Sequence, residues 1–105
     1  MEIFKVSKNF PKKETYSLTG QIRRSSRSVC ANIAEAYRKR QYPAHYASKL
    51  SDSDAENAET LVWLEFALEC GYIDKNTYEQ LVAKNQSIGS LIGYMMNNPH
   101  KFGVK

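Results

Sequence analysis

Apolar residues recur every three or four positions along three long segments of this 105-residue chain. That spacing places them on one face of an α-helix, and no segment keeps the two-residue alternation of a half-buried strand. Pro11, Pro43, Gly71 and Pro99 separate the segments, at residue types that interrupt or end helices. The pattern predicts an all-α fold. The predicted helices span residues 1–9, 14–41, 43–70 and 75–97.

The periodic residues of the three long segments would meet in one core. Connections between the segments are short, so that neighbouring helices are expected to run antiparallel. We therefore expect a single domain, residues 1–105, folded as an antiparallel up-down four-helix bundle with a short first helix. Small or polar residues interrupt the apolar faces and suit close helix contacts. Among them, Asn57 and Asn85 would each need a hydrogen-bond partner if buried.

The composition is that of a globular domain outside the membrane. Hydrophobic residues make up 42% and charged residues 25% of the chain, which are ordinary proportions. No apolar run approaches the roughly 20 residues that a spanning helix needs, and the N-terminus does not resemble a signal peptide. We expect a cytoplasmic protein with no membrane partner. Its two thiols, Cys30 and Cys70, are expected in or near the helical core.

Charge is distributed unevenly along the chain. Residues 1–49 carry eleven Lys and Arg against three Glu, whereas residues 50–105 carry four Lys against eight Asp and Glu. Such asymmetry is typical of a protein that binds a polyanion or pairs with itself. Both interpretations are kept open.

The basic residues of the second predicted helix lie opposite its apolar face. At 100° per residue they form a ribbon about four turns long, with small residues between them. Arginine suits phosphate because its planar fork donates two parallel hydrogen bonds. A solvated helix face and a contact with acidic protein remain alternatives. The candidate nucleic-acid-binding residues are Arg23, Arg24, Arg27, Arg38, Lys39 and Arg40.

The third predicted helix carries acidic and apolar residues on its outer side. An apolar patch beside acidic residues could dock on the basic helix of a second copy. Packing of the aromatic residues within the chain is the alternative. The candidate oligomer-interface residues are Val62, Trp63, Phe66, Asp52, Glu56 and Glu59.

The sequence offers no catalytic constellation. Glu56 and Glu59 form one Glu-x-x-Glu pair, but the second acidic motif of a magnesium hydrolase is missing. No Glu-x-x-His, Gly-x-Ser-x-Gly or phosphate-binding glycine loop occurs. We expect no enzymatic activity, no metal and no cofactor. The seven tyrosines are expected mostly in the core or at its boundary, although Tyr37 and Tyr42 flank a basic run and could stack on unpaired bases.

Five segments of the chain occur in an order that resembles a known signature. They are Phe10-Pro11, Tyr16–Ser25, Ser28-Val29, Asn32–Ala36 and Leu68–Ile73. The signature reads FP-x-x-E-x-YGLT-x-QIRRA-x-x-SI-x-x-NIAEG, followed later by L-x-x-GYL. In this the chain resembles, over about residues 4–97, the bacterial four-helix-bundle proteins encoded by intervening sequences in 23S ribosomal RNA genes.

The resemblance implies a non-enzymatic bundle that assembles as a cyclic homo-oligomer, typically a pentamer. A related accessory protein of diversity-generating retroelements binds nucleic acid and a reverse transcriptase. Structured RNA or DNA, a reverse transcriptase or another protein are therefore possible partners beside the chain itself. The chain departs from the family in lacking a longer, tryptophan-containing first helix, and in having Ser17 and Ala36 where glycines are usual.

Overall fold

The computed structural model describes residues 2–104, and within them the chain forms helices and turns without any strand. The molecule measures 47 × 25 × 18 Å. The predicted all-α four-helix bundle with a short first helix is confirmed. The α-helices are α1 Glu2–Ser7, α2 Leu18–Arg38, α3 Pro43–Glu69 and α4 Lys75–Asn97. Short 3-10 turns at Lys12–Glu14 and Pro99–Phe102 precede α2 and follow α4.

The ends of α3 and the start of α4 follow local sequence signals. Pro43 occupies the first turn of α3, where its missing N–H costs nothing. Gly71, at φ +74°, ends α3 in a left-handed conformation. The N–H of Gly71 donates to Leu68 and that of Tyr72 to Ala67, which is the Schellman pattern. Asp74 then caps α4 by accepting a 2.7 Å hydrogen bond from the N–H of Thr77.

The second helix is shorter than predicted at both ends. It begins at Leu18 rather than near residue 14, because Lys12–Glu14 form a 3-10 turn and Ser17, at φ −120° and ψ −102°, is not helical. Glu14 accepts hydrogen bonds from the Ser17 hydroxyl and, at 3.4 Å, from the N–H of Leu18. The chain also folds back over Gly20, where a Cβ would lie 3.0 Å from the Thr15 carbonyl oxygen.

The first helix also ends earlier than predicted, at Ser7 instead of about residue 9, and Met1 lies outside the described residues. It packs on α2 and reaches α4 through an ion pair between Glu2 and Lys84, 3.3 Å apart. Because α1 is only six residues long, a cavity of about 170 Å³ remains between α2 and α4. Apolar side chains dominate its walls, including Ile3, Val29 and Leu81.

The hydrophobic core consists of two clusters along the bundle. One cluster gathers where α1, the start of α2 and the α3–α4 turn meet. The other lies where α2 ends, α3 begins and the chain leaves α4. The buried members of the first are Phe10, Leu18, Ile22, Leu64, Ala67, Ile73 and Leu81. Those of the second are Val29, Ala36, Tyr46, Leu50, Ile92, Met95 and Val104.

Hydrogen-bonded polar residues separate the two clusters, and we call them the polar belt. The Thr60 hydroxyl donates to Ser25 Oγ at 2.8 Å, and Ser53 Oγ donates to the Val29 carbonyl at 2.8 Å. Both contacts join α3 to α2. The need for partners at Asn57 and Asn85 is met reciprocally, because each side-chain amide donates to an oxygen of the other residue. The belt residues are Ser25, Ser53, Asn57, Thr60 and Asn85.

The prediction that both thiols lie in or near the core is wrong. Cys30 and Cys70 are exposed and free. Cys30 lies on α2 outside its apolar stripe, and Cys70 is the C-cap residue of α3, where the helix no longer faces the core. No helix within residues 2–104 combines the length and the apolar character needed to cross a membrane.

Candidate functional site

The six candidate nucleic-acid-binding residues lie in three different environments. Those near the start of α2 are engaged by α1 and α3, Arg27 is exposed in the middle of the helix, and the last three surround the α2–α3 turn. The helical periodicity placed them on the outer side of α2, but it could not reveal which neighbouring helix covers them.

Arg23 is half-buried beneath α1. Its Nε donates a 2.7 Å hydrogen bond to Ser7 Oγ, and its guanidinium group lies 4.4 Å from the centre of the Phe4 ring. A cation over an aromatic face is held by the electrostatics of the ring. Arg23 therefore helps to fix α1 on α2.

Arg24 pairs with two acidic residues of α3 in the same chain. Its Nη1 lies 3.2 Å from the nearer carboxylate oxygen of Glu56, and its Nη2 contacts the carboxylate of Glu59. The side chain of Arg24 remains 48% exposed, so solvent screens the pair. Glu56 and Glu59, predicted at an oligomer interface, thus pair within the chain with Arg24, which was predicted to bind nucleic acid. Asp52, also on α3, remains exposed.

Arg27 remains exposed and forms no ion pair with any residue between 2 and 104. It borders a shallow depression of about 560 Å³ on the outer face of α2. Small residues form the floor and arginines form the walls, so an extended ligand could approach the helix backbone closely. The lining residues are Gly20, Arg23, Arg24, Arg27, Ser28 and Ala31.

The α2–α3 turn holds the remaining three candidates. Arg38 and Lys39 are exposed, and Lys39 Nζ lies 5.8 Å from the centre of the Tyr42 ring. Arg40 is half-buried because its guanidinium group stacks 3.7 Å from the centre of the Tyr37 ring. Its Nε donates to the carbonyl of Tyr37 at 2.8 Å, and its Nη1 donates to the carbonyl of Phe102 at 3.3 Å.

Residues after α4 join this turn, and the sequence interpretation missed them. Lys101 Nζ lies 5.4 Å from the centre of the Tyr94 ring and 3.2 Å from its hydroxyl. His100 belongs to the same 3-10 turn. A signal was present, since no Asp or Glu occurs after Glu79. Summing charge over residues 50–105 concealed it.

The expectation that most tyrosines are buried or at the core boundary is wrong for four of the seven. Tyr46 is buried, and its hydroxyl donates to the Met95 carbonyl at 2.9 Å. Desolvation by burial raises the pKa of Tyr46. Four others are exposed because they lie at helix ends or outer faces, namely Tyr16, Tyr37, Tyr42 and Tyr94.

The candidate apolar interface on α3 is only partly exposed to solvent. Val62 and Phe66 are 46% and 54% exposed, whereas Trp63 is half-buried against the first core cluster. The rings of Trp63 and Phe66 lie 5.7 Å apart. Beside them a groove of about 370 Å³ runs between α3 and the start of α2. The indole Nε1 of Trp63 is buried without a hydrogen-bond partner among residues 2–104.

Glu14 and Tyr72 form an interaction at the edge of this groove. The Tyr72 hydroxyl donates to the Glu14 carboxylate at 2.7 Å. Hydrogen bonds from Ser17 and then Tyr72 hold the pKa of Glu14 below its ordinary value. The same bond to Glu14 raises the pKa of Tyr72 to about 12. The pair ties the α3–α4 turn to the segment before α2.

Among residues 2–104 no three His, Cys, Asp or Glu side chains come close enough together to hold a metal ion.

Lys49 and Glu35 form an ion pair at 3.0 Å, and the hydrogen bond to Glu35 raises the pKa of Lys49.

Comparison with known proteins places the chain in a family. No curated protein and no solved structure matches it significantly. A family model described as 23S rRNA-intervening sequence protein matches residues 1–94, which include all four helices apart from the last residues of α4. The chain belongs to the family of 23S rRNA-intervening sequence proteins.

Proposed function

We propose that this protein is a non-catalytic, cytoplasmic homo-oligomer that binds RNA or DNA through the basic residues of α2 and the α2–α3 turn. Nucleic acids are polyanions, and binding to them releases condensed counterions for each phosphate neutralised. An oligomer would repeat the same weak contacts and multiply their effect.

One observation carries the proposal. Arg27, Arg38 and Lys39 are exposed and form no ion pair with residues 2–104, although acidic residues are available elsewhere in the chain. These three side chains keep their charge available to an external phosphate. Arg23, Arg24 and Arg40 are engaged within the chain and would contribute less.

Self-association is supported by the exposed apolar residues of α3. Val62 and Phe66 lie beside the groove near Trp63, and apolar patches of this kind are typical of protein interfaces. We propose that a second copy covers this surface. The family resemblance favours a pentamer.

The test measures binding and oligomer mass on the same sample. Labelled structured RNA and a DNA duplex are titrated with protein across a salt series that starts at about 50 mM, where screening is weakest. We expect affinity to fall steeply with salt. The double variant R27E/R38E should bind at least about tenfold more weakly with unchanged oligomer mass.

A matched control keeps the total charge change equal. K5E/K12E also reverses two exposed lysines without an ion pair among residues 2–104, but on α1 and in the 3-10 turn before α2. It should bind nearly as well as the unaltered protein. Absence of binding at the lowest salt would contradict the proposal.

A scaffold function is the second candidate, favoured by the partly covered Trp63 and exposed Phe66 beside the groove on α3. Under this function the basic residues meet acidic protein surfaces, including those of another copy. R27E/R38E would then dissociate the oligomer, which mass measurement detects directly.

A further inference from the structure

One end of the bundle is rich in basic and poor in acidic side chains, and we call it the basic end. Glu35 lies at its border and pairs with Lys49. The basic end comprises the end of α2, the start of α3 and the chain from the end of α4 to residue 104. The contributing segments, residues 36–51 and 80–104, contain neither Asp nor Glu. Hydrogen bonds from Arg40 to Phe102 and from Tyr46 to Met95 bring them together.

Exposed aromatic rings lie among the cations of the basic end. Tyr37, Tyr42 and Tyr94 are 49%, 56% and 46% exposed. Each ring has a cation within 5.8 Å of its centre, so all three are held beside positive charge. A large, half-exposed ring contributes little to the core. Three of them on one charged surface therefore need an explanation outside folding.

Arg40 keeps this arrangement in place. It stacks on one face of Tyr37 and donates to backbone carbonyls on both sides of the basic end. Gly103 passes close to it at φ +83°, and a Cβ there would lie 3.3 Å from Arg40 Nη1. Arg40 thus fixes Tyr37 and holds the chain after α4 against the α2–α3 turn.

Rings interspersed with cations suit a strand whose bases are unpaired. In a duplex the base faces stack on one another, so that only phosphates and base edges are accessible. In a single strand each base offers a face to an aromatic side chain, whatever its sequence. The combination of stacking surfaces and phosphate ligands favours single-stranded over double-stranded nucleic acid.

We propose that the basic end binds single-stranded segments of nucleic acid, with bases stacked on Tyr42 and Tyr94 and phosphates on Arg38, Lys39 and Lys101. This inference rests on the proposed function and specifies its ligand. Stacking tolerates any base, so little sequence preference is expected.

The experiment compares a labelled oligouridylate of about 20 nucleotides with an RNA duplex of the same length, at one salt concentration. The unaltered protein should bind the single strand more tightly. Y42A and Y94A should each weaken single-strand binding between about fivefold and a hundredfold, the range for losing one stacked base. Y42F and Y94F, which keep the ring, should bind almost normally. Circular dichroism confirms that each variant folds.

Tyr16 supplies the matched control. It is 97% exposed and lies before α2, at the opposite end of the bundle. Y16A removes an equally accessible ring and should leave single-strand binding unchanged.

The outcomes separate this inference from the proposed function. Equal binding of duplex and single strand, with no effect of Y42A or Y94A, would overturn the inference but leave nucleic-acid binding intact. Failure to bind either RNA would overturn the inference, and the proposed function falls with it if the DNA duplex is not bound either. Polyglutamate binding as tight as that of the oligonucleotide would overturn the inference in favour of an acidic protein partner.

Discussion

The two ends of the bundle hold their charges in different ways. Around α1 and the α3–α4 turn, basic side chains have acidic neighbours, as in the pairs of Lys84 with Glu2 and Lys75 with Glu79. We call this the paired end. At the basic end Lys39, Arg40 and Lys101 lie beside tyrosine rings instead. These three cations form no ion pair within residues 2–104, so an external polyanion can neutralise them.

The comparison teaches that net charge alone is a poor guide to binding. The formal charge of +4 is modest, yet the paired end uses its carboxylates internally. The basic end, by contrast, combines exposed cations with exposed tyrosine rings. Three changes to the chain would break or sharpen this contrast, beginning with the largest expected effect.

The largest effect should come from truncating a buried side chain in the core of the basic end. Leu50 is fully buried there, so L50A should lower the free energy of unfolding by about 2–5 kcal/mol through lost burial and a cavity. Urea unfolding monitored by circular dichroism gives the value. L64A removes the equivalent side chain from the first cluster and should cost a similar amount.

The same experiment tests whether the two ends unfold together. The polar belt links α2, α3 and α4 between the clusters, so L50A should still unfold in one transition. Trp63 reports on the first cluster by fluorescence. Its transition should coincide with the loss of helical signal. Two separate midpoints would mean that the ends are independent.

A smaller effect should follow from releasing Arg24. E56Q/E59Q removes both carboxylates that pair with it and leaves a free guanidinium group on α2. RNA affinity should rise a few-fold, and the salt dependence should steepen by about one phosphate. The pair is solvent-exposed, so the stability cost should stay within about 1 kcal/mol. D52N/D54N neutralises two other residues of α3 that form no ion pair within residues 2–104, and serves as the control.

The smallest effect concerns pH and is confined to the paired end. The pKa of Glu14 is lowered from about 4.5, so its contribution to stability is present above that value and is lost as the pH falls through the lowered pKa. Y72F removes one cause of the shift. Urea midpoints measured between about pH 6 and 3 should fall less steeply for Y72F than for the unaltered protein. Parallel curves would exclude a contribution from the Tyr72–Glu14 bond.

Much of the fold could be predicted from the sequence because its signals are local. The spacing of Leu81, Ile92 and Met95 encodes one buried face, and all three residues are buried. Gly71 and Asp74 mark helix ends by their own backbone chemistry. The start of α2 was missed because the residues before Leu18 form a 3-10 turn and a non-helical Ser17 instead of a first helical turn.

The candidate site was less predictable because its geometry depends on neighbouring helices. A helical wheel fixes the angle between Arg24 and its own core, but not the presence of Glu56 alongside. Similarly, no sequence pattern near Lys101 indicates that it lies beside the α2–α3 turn, some sixty residues earlier in the chain. The hydrogen bond from Arg40 to the Phe102 carbonyl brings the two segments together. Contacts between distant segments decided which charges remain available.

The reciprocal amide pair in the polar belt also limits how the length of this chain can vary. Asn57 and Asn85 fix the rotational setting of α4 against α3, and the twelve residues that follow Asn85 to the end of α4 at Asn97 span about 18 Å of helix. One inserted residue there would rotate everything beyond it by about 100° and carry Phe102 away from Arg40. Insertions in the α3–α4 turn, between Cys70 and Asp74, leave the spacing between Asn85 and Phe102 unchanged. Length differences compatible with this architecture should therefore fall in the α3–α4 turn.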